Sequence, residues 1–212
     1  MPTEPQQRRR YESPLRTAQA EQTRTAILAA ATELLETRGW NGTGMRDVAK
    51  AAQVSIETVY AAFGSKAVLL KQALDVAVVG DAAPVPLADR EVFRRLFEGA
   101  PLERAEAAAQ VLIDVRLRTA RLRRVLNQAV GADSQLEDVQ QETHASERES
   151  IRQAAVAVGG RDVSDEDVDA LFATLSTEVF LLLTDTCGWS ISAYQSWTVQ
   201  IIRFVLNLDG AN

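Results

Sequence analysis

Residues 45–70 constrain the fold of this chain more than any other segment, because they hold two short amphipathic stretches joined by a tight turn. Apolar residues recur at positions 45, 48, 49 and 52 and again at 59, 63 and 68, which is the spacing of one helical face. The small side chains of Ala49 and Ala52 allow two helices to cross closely over so short a turn. These are the proportions of a helix-turn-helix, whose second helix is free to lie on DNA.

Polar and glycine residues predict where the second helix begins and ends. Ser55 is a good N-cap for this helix, Gly64 ends it, and Ser65 caps the next one. The polar side chains of the second helix are then expected to face outward, where a recognition helix meets the groove: Ser55, Glu57, Thr58 and Tyr60.

Residues 21–38 complete a three-helix unit, because they carry an apolar stripe and are followed by Gly39, which ends a helix. The stripe consists of Ile27, Ala30, Ala31, Leu34 and Leu35. Trp40 is expected to pack under the next turn. Thr43 is predicted to be the N-cap of the helix that starts near Met45, with its hydroxyl near the surface.

With these elements in place, residues 21–71 resemble the DNA-binding domain of TetR/AcrR-type transcriptional regulators. The resemblance is carried by a V-A-x-x-A-x-V-S run at 48–55 and a T-V-Y-x-x-F-x-S-K run at 58–66. It implies an all-α protein with a helix-turn-helix domain and a larger helical domain for ligand binding and dimerisation. It also implies a homodimer that binds a palindromic operator in double-stranded DNA and releases it when a small ligand binds.

The resemblance further implies which residues lie at the DNA. It assigns phosphate contacts to Thr43, Tyr60 and Lys66, a place close to the backbone to Arg46, and places at or near the groove to Ser55, Glu57 and Thr58. Simpler explanations exist for each of them. The Tyr60 ring can close the small core with its hydroxyl in water, and Lys66 can be a solvated lysine at a helix start.

The sequence departs from the family pattern at three places. Gln53 stands where the family usually has a turn glycine, and a left-handed backbone there costs roughly 1 kcal/mol. Glu57 stands where glycine is frequent, and an acid facing DNA either accepts from a cytosine amino group or points away from the groove. Ala61 and Ala62 replace larger side chains that often hold DNA, so we expect fewer base contacts than usual.

Length and composition fit two domains. A chain of 212 residues accommodates an N-terminal domain of about 50 residues and a larger domain of ordinary size. The predicted division is a disordered basic arm at 1–20, a helix-turn-helix domain at 21–71, and a ligand-binding and dimerisation domain at 72–212. No segment approaches the ~20 apolar residues of a membrane span, and the N-terminus does not read as a signal sequence, so we expect a cytoplasmic protein.

Charge is divided unevenly along the chain, whose net charge is −6. Residues 1–71 hold ten Lys or Arg and seven Asp or Glu, whereas residues 72–212 hold thirteen and twenty-two. The basic part therefore coincides with the part expected to bind DNA. The arginines of its tail either make the tail soluble or follow the phosphates and minor groove of DNA: Arg8, Arg9, Arg10, Arg16 and Arg24.

Glycine, proline and capping residues separate the segments beyond residue 64, and each of these segments is predicted to be helical. The predicted helices cover about 65–79, 89–97, a long stretch after Pro101, 134–158, 168–186 and 190–208. The last two are apolar on more than one face and so need more than one packing partner. Either they are buried within a monomer or, as the resemblance implies and we expect, they pair with their copies in a four-helix dimer interface. The expected interface residues are Val168, Leu175, Val179, Leu182, Leu183, Tyr194, Trp197, Ile201, Ile202 and Val205, while Phe204 lies off this stripe.

The resemblance also implies an apolar cavity for an unidentified hydrophobic or aromatic small molecule. Residues placed around it are Phe93, Phe97, Leu112, Val115, Leu122, Phe172 and Phe180, although each also fits a plain core position. One cysteine, Cys187, and one histidine, His144, argue against a disulfide framework and against a metal site, and no cofactor is expected. His144 lies in a polar run and is expected at the surface.

The sequence thus predicts a DNA-binding regulator, in the first instance a repressor. An enzyme is not expected, because a single histidine and the lack of a glycine-rich phosphate loop leave only scattered carboxylates for catalysis. A helical interaction protein without DNA binding would explain the apolar helical faces but neither the turn motif nor the basic N-terminal part. A ligand-independent DNA-binding activator is the other alternative.

Overall fold

The computed structural model describes residues 14–80 and 91–209, and every regular element in these ranges is helical. The helices are α1 (Pro14–Arg38), α2 (Met45–Ala51), α3 (Ile56–Phe63), α4 (Lys66–Val79), α5 (Glu91–Arg94), α6 (Pro101–Ala129), α7 (Ser134–Gly159), α8 (Asp165–Thr174), α9 (Thr177–Leu181) and α10 (Ile191–Val205). A 3-10 turn, Arg95–Phe97, follows α5, and a π-helical turn, Leu182–Thr186, follows α9. The predicted all-α fold with an N-terminal helix-turn-helix is confirmed.

The ends of α3 and the start of α4 are capped as predicted. Ser55 Oγ accepts from the N–H of Thr58 at 3.2 Å, and Ser65 Oγ accepts from the N–H of Val68 at 3.3 Å. Gly64 follows α3 with a φ of 70°, in the left-handed region that favours glycine. Only Gly64 and Ser65 lie between α3 and α4. The Ser55 cap therefore fixes the start of α3, and the capped start of α4 fixes its end.

One apolar core joins α1 to α4 and then continues into the larger domain. It includes Ile27, Leu35, Val48, Val59, Phe63, Leu69 and Leu70 from the first four helices, and Leu122, Leu126 and Leu136 from α6 and α7. The predicted boundary between residues 71 and 72 lies inside α4, which shares this core. The division into domains at that point therefore stays a prediction.

The start of α1 differs from the prediction. This helix begins at Pro14, so residues 14–20 of the predicted disordered arm are helical. Residues 1–13 lie outside the described residues, as do positions 89 and 90 of the helix predicted over 89–97. The predictions for Arg8, Arg9 and Arg10 fall in the first of these segments.

Arg24 is an internal link rather than part of a tail. Its guanidinium donates to the carbonyl of Ala62 at 3.3 Å and lies 4.8 Å from the centre of the Phe63 ring. A second hydrogen bond reaches the side chain of Gln72. Arg24 therefore ties α1 to the end of α3 and to α4.

The start of α2 also corrects a prediction, because Gly44 and not Thr43 is its N-cap. Asp47 Oδ2 accepts from the backbone N–H of Gly44 at 3.0 Å, which is the half of a capping box that the N3 side chain supplies. The Thr43 side chain is 1% exposed, and its hydroxyl donates to the carbonyl of Leu34 at 3.0 Å. The hydroxyl therefore joins α1 to the loop before α2 instead of lying near the surface.

The helix predicted over 168–186 is broken between α8 and α9. Ser176 caps α9 by accepting from the N–H of Val179 at 3.3 Å, and this donor would serve the carbonyl of Leu175 in a continuous helix. The Leu175 carbonyl instead accepts two hydrogen bonds from Arg116 of α6, at 3.2 and 2.6 Å. Apolar spacing predicts an unbroken helix because it does not register this competition by a serine hydroxyl.

Gln53 has a φ of 57°, so the left-handed backbone expected at this turn position is confirmed. We expect Gln53→Gly to raise the free energy of unfolding by roughly 0.5–1 kcal/mol, because glycine adopts this backbone without a steric penalty. Urea denaturation of the full chain measures the change. Gln53→Ala is the matched control, since it removes the exposed side chain but keeps the strain; a glycine variant no more stable than the alanine variant would contradict the argument.

Candidate nucleic-acid interface

α3 presents a polar face to solvent and rests on an apolar one. Val59 and Phe63 are buried beneath it, whereas Ser55, Glu57 and Tyr60 are exposed, as predicted. The Tyr60 side chain is 50% exposed, so its ring does not close the core and its hydroxyl is free to meet a partner. Ala61 is also exposed, which leaves a shallow surface beside Tyr60.

The first turn of α3 holds a carboxylate whose charge is stabilised locally. Hydrogen bonding by its own backbone N–H and by the Ser55 hydroxyl lowers the pKa of Glu57, so this fully exposed group is ionised at neutral pH. Thr58 is half-buried, and its hydroxyl lies 3.0 Å from that of Ser55. The carboxylate is thus drawn toward the helix N-terminus, where the backbone donors and the helix dipole favour a negative charge.

α2 contributes two exposed basic side chains, Arg46 and Lys50, at a spacing of four residues. Residues four apart on a helix lie on one side of it, so the two cations form a short basic edge. Of these two cations, only Arg46 was expected at the DNA. The same spacing rule applied to the sequence would have identified Lys50.

Lys66 has internal partners that the sequence did not reveal. Its ammonium donates to the carbonyls of Trp40 at 2.7 Å and Thr43 at 3.0 Å, and it lies 3.8 Å from the centre of a Trp40 ring. Burial lowers the pKa of Lys66, and the nearby Asp133 carboxylate partly offsets this. Lys66 therefore fastens the start of α4 to the loop between α1 and α2, and one N–H remains for any other partner.

Phosphate contact by Thr43 loses its basis in this geometry, because the hydroxyl is buried and bonded to Leu34. The exposed residues of α2, of α3 and of its N-cap include Arg46, Lys50, Ser55, Glu57 and Tyr60. These five define the candidate interface.

The residues predicted to line a ligand cavity do not surround one cavity in the described part of the chain. Leu112 lines a small cavity of about 70 Å³ between α6, α7, α8 and α10, well below the ~300 Å³ of an ordinary ligand pocket. The other six are dispersed: Phe97 is exposed, Leu122 belongs to the core shared with α1–α4, Val115 and Phe172 are half-buried, and Phe93 and Phe180 are buried in different clusters.

His144 was expected at the surface, but the structure places it partly inside the protein. It is half-buried with its ring edge-on to Phe172, 5.7 Å between ring centres. Burial lowers the pKa of His144, and the Arg123 guanidinium lowers it further. The imidazole is therefore mainly neutral at pH 7.

The expected dimer interface divides into two groups. Four of its residues are buried within the single chain and so belong to the monomer core: Val168, Leu175, Tyr194 and Ile202. Leu182 is 53% exposed, and the remaining residues are half-buried: Val179, Leu183, Trp197, Ile201 and Val205. Phe204, which lies off the predicted stripe, is 81% exposed and is the most exposed large apolar side chain described.

The residues at 14–80 and 91–209 contain no group of His, Cys, Asp and Glu side chains arranged to hold a metal ion. No helix within the same ranges is long and apolar enough to cross a membrane.

The helix-turn-helix unit matches a known family. Residues 27–73 match the model of the tetR family of bacterial regulatory proteins. Comparison with curated proteins gave no match.

Solved structures of regulators share the fold over most of the chain. A protein from Rhodococcus sp. that is assigned to the TetR family of transcriptional regulators is 20% identical, with a TM-score of 0.66 over 88% of this chain and 99% of that one. NalD, the secondary repressor of the MexAB-OprM multidrug efflux pump in Pseudomonas aeruginosa, is 20% identical, with a TM-score of 0.58 over 88% and 96%.

The two kinds of comparison cover different parts of the molecule. The family match spans the C-terminal half of α1, all of α2 and α3, and the first part of α4, and so includes the elements that form the candidate interface. The structural matches, at about one residue in five identical, show that the whole helical fold is shared. Residues 27–73 therefore match the tetR family of bacterial regulatory proteins, and the chain as a whole shares the helical fold of solved transcriptional regulators.

Proposed function

We propose that this chain is a homodimeric repressor: α3 of each copy lies in the major groove of one half of a palindromic operator, and a small ligand releases the DNA. The observation that carries the proposal is the outward face of α3, which is capped at both ends and rests on Val59 and Phe63. A short helix held in this way is the reading element of a helix-turn-helix. Such a regulator acts in the cytoplasm, where bacterial DNA is. The repressor NalD, which shares the fold, supports repression rather than activation.

Exposed apolar side chains at the C-terminal end support the homodimer. The large ones on and beside the π-helical turn and α10 are Leu182, Trp189, Ile191 and Phe204. Apolar surface of this kind is costly in water and marks an interaction site when it is contiguous. A two-fold pairing of identical faces also matches the two-fold symmetry of a palindrome.

α4 supplies a physical route from the larger domain to the DNA. Only two residues separate it from the end of α3, and its last turn accepts hydrogen bonds from Arg118 of α6, at 2.9 Å to Ala77 and 3.0 Å to Val78. A displacement of α6 therefore pulls on α4 and changes the position of α3. A ligand releases DNA if it binds more tightly to the arrangement whose two α3 helices do not fit the operator.

The dimeric repressor predicts that tight binding needs both halves of the operator, about 34–36 Å apart, because one short helix makes too few contacts alone. Selection of bound genomic fragments identifies the operator. We expect scrambling of one half-site to abolish tight binding in a gel-shift titration at fixed salt. A single half-site that binds as tightly as the full site would overturn the dimeric model.

Substitutions of Arg46 and Tyr60 should weaken DNA binding in two different ways, because only Arg46 is charged. Arg46→Gln should weaken binding to all sequences and reduce the salt slope by about one unit per subunit, through fewer released counterions. Tyr60→Phe removes a neutral hydroxyl and should weaken binding about threefold to tenfold with an unchanged salt slope. Fluorescence anisotropy at several salt concentrations measures both effects. Arg121→Gln, an equal charge change at an exposed site on α6, is the control and should leave affinity and slope unchanged.

The exposed apolar side chains on the π-helical turn and α10 allow a test of the proposed dimer. Phe204→Asp and Leu182→Asp place a charge where a partner helix would cover it, at a cost of several kcal/mol, so both should shift the protein from dimer to monomer. Light scattering after size exclusion measures the mass. Leu117→Asp, at a 55% exposed leucine on α6, is the matched control and should remain dimeric. Dimers of unchanged stability in both test variants would place the interface elsewhere.

A further inference from the structure

A cluster of charged and hydroxyl groups is buried between α6, α7 and α10. We call it the arginine cluster: Arg116 and Arg123 of α6, Glu147 of α7, and Tyr194 and Thr198 of α10. Arg116 is 2% exposed, Arg123 is 6% exposed, and both residues from α10 are fully buried. Charges are rarely buried to this degree unless each has a partner.

Only part of the cluster has such partners. Glu147 forms ion pairs with both arginines, one carboxylate oxygen to each. Arg116 is further satisfied by the Leu175 carbonyl, to which it donates twice. A single buried carboxylate thus serves two buried guanidinium groups.

Among the described residues, Nη1 of Arg123 has no hydrogen-bond partner. The Tyr194 hydroxyl, by contrast, lies beside the Thr198 hydroxyl and the Arg116 guanidinium. Burial lowers the pKa of Arg123 to about 10, with Arg116 adding to the effect, so the guanidinium still carries its charge at neutral pH. An unpaired donor on a buried cation is costly. The Nη1 nitrogen of Arg123 is therefore the natural contact of an added acceptor.

The other charged and titratable groups around the cluster do not fill this need. Glu178 lies at its exposed edge, where its carboxylate accepts from the side-chain amide of Asn127. His144 is mainly neutral, as shown above. Arg124, the next residue on α6, faces outward and pairs with Asp185.

The side chains next to the arginine cluster are apolar and aromatic. The Tyr194 ring lies 5.0 Å from the ring of Phe180 and 5.6 Å from that of Trp197, measured between centres. Ile113 and Ala120 of α6 belong to the same buried cluster as Phe180 and Tyr194. Near Arg123 itself lies the neutral ring of His144, which packs edge-on against Phe172. A molecule that reaches the free guanidinium nitrogen therefore has uncharged aromatic side chains beside it.

We propose that the arginine cluster binds a small carboxylate with an aromatic or aliphatic body, whose carboxylate accepts from Arg123 Nη1. A guanidinium suits this role because its planar donors match the two oxygens of a carboxylate. α9, five residues long between the Ser176 cap and the π-helical turn, is the short element that packs on α6 beside the cluster. That this ligand also releases DNA rests on the proposed function, whereas its binding does not.

The test measures binding to the full chain without DNA, by calorimetry and by the fluorescence of the tryptophans. The probes are benzoate and octanoate, with benzamide and octanamide as neutral counterparts and sodium chloride at matched ionic strength. We expect at least one carboxylate to bind and its amide to bind about tenfold or more weakly, because the amide lacks the charge that pairs with Arg123. Absence of binding by both carboxylates at millimolar concentration would overturn the proposal.

Two variants separate a binding site from a purely structural ion cluster. Arg123→Gln leaves Glu147 paired one-to-one with Arg116, so the chain should remain folded and lose carboxylate binding about tenfold or more. Glu147→Gln removes the competing internal carboxylate and should tighten binding. Arg124→Gln, one residue along α6, is the control and should bind as the unchanged chain does. Equal affinity in all three variants, or weaker binding by Glu147→Gln with its helical signal intact, would show that the cluster serves only the fold.

A second measurement distinguishes this inference from the proposed function. The affinity for operator DNA is measured with and without the carboxylate that binds. A carboxylate that binds at the cluster and weakens DNA binding supports both. One that binds but leaves DNA affinity unchanged supports the site and contradicts ligand-relieved repression by it.

Discussion

The packing of α6 is the constraint on which the rest of the structure depends, because α4, α7 and α10 all pack against this one helix. Its buried face carries Arg116 and Arg123 among apolar residues, so the neighbouring elements must bring acceptors to it. Glu147 and the Leu175 carbonyl do so. The break between α8 and α9 and the burial of Arg116 therefore depend on each other. Ser176 accepts from the N–H of Val179, and the Leu175 carbonyl is then free to accept from Arg116.

The same helix reaches the DNA-binding unit through a third arginine. Arg118 bonds to the last turn of α4, while Arg116, two residues earlier, holds the break between α8 and α9. A molecule that competes for the buried guanidinium groups would loosen α6 from α7 and α9, and the attachment of α4 would follow. The arginine cluster and the last turn of α4 are thus connected by one helix, α6, whose arginines make contacts at both places. No long chain of small displacements is required to connect them.

The sequence predicted most helix caps and turn conformations, but it did not predict which helix faces pack against each other. The caps by Ser55 and Ser65, the end of α3 at Gly64 and the left-handed Gln53 each depend on a few neighbouring residues, and all were expected. Apolar periodicity, by contrast, says that a face is covered but not by what. It therefore assigned the buried Tyr194 to a dimer interface and passed over Phe204, whose exposure depends on how α10 is rotated against α6 and α8. Buried arginines fall outside any hydrophobic pattern, so the arginine cluster gave no sequence signal.

Lys66 shows why a matching motif does not fix a role. Its position in the motif points to a phosphate, yet its ammonium joins the Trp40 and Thr43 carbonyls to the start of α4. Loss of DNA binding in Lys66→Ala would therefore follow even without a phosphate contact, because the loop before α2 would lose its attachment to α4. The two roles are not exclusive, since a lysine has three N–H donors and two are used here. A phosphate that accepts the third would be held by a cation whose position the protein has already fixed, which lowers the entropy lost on binding.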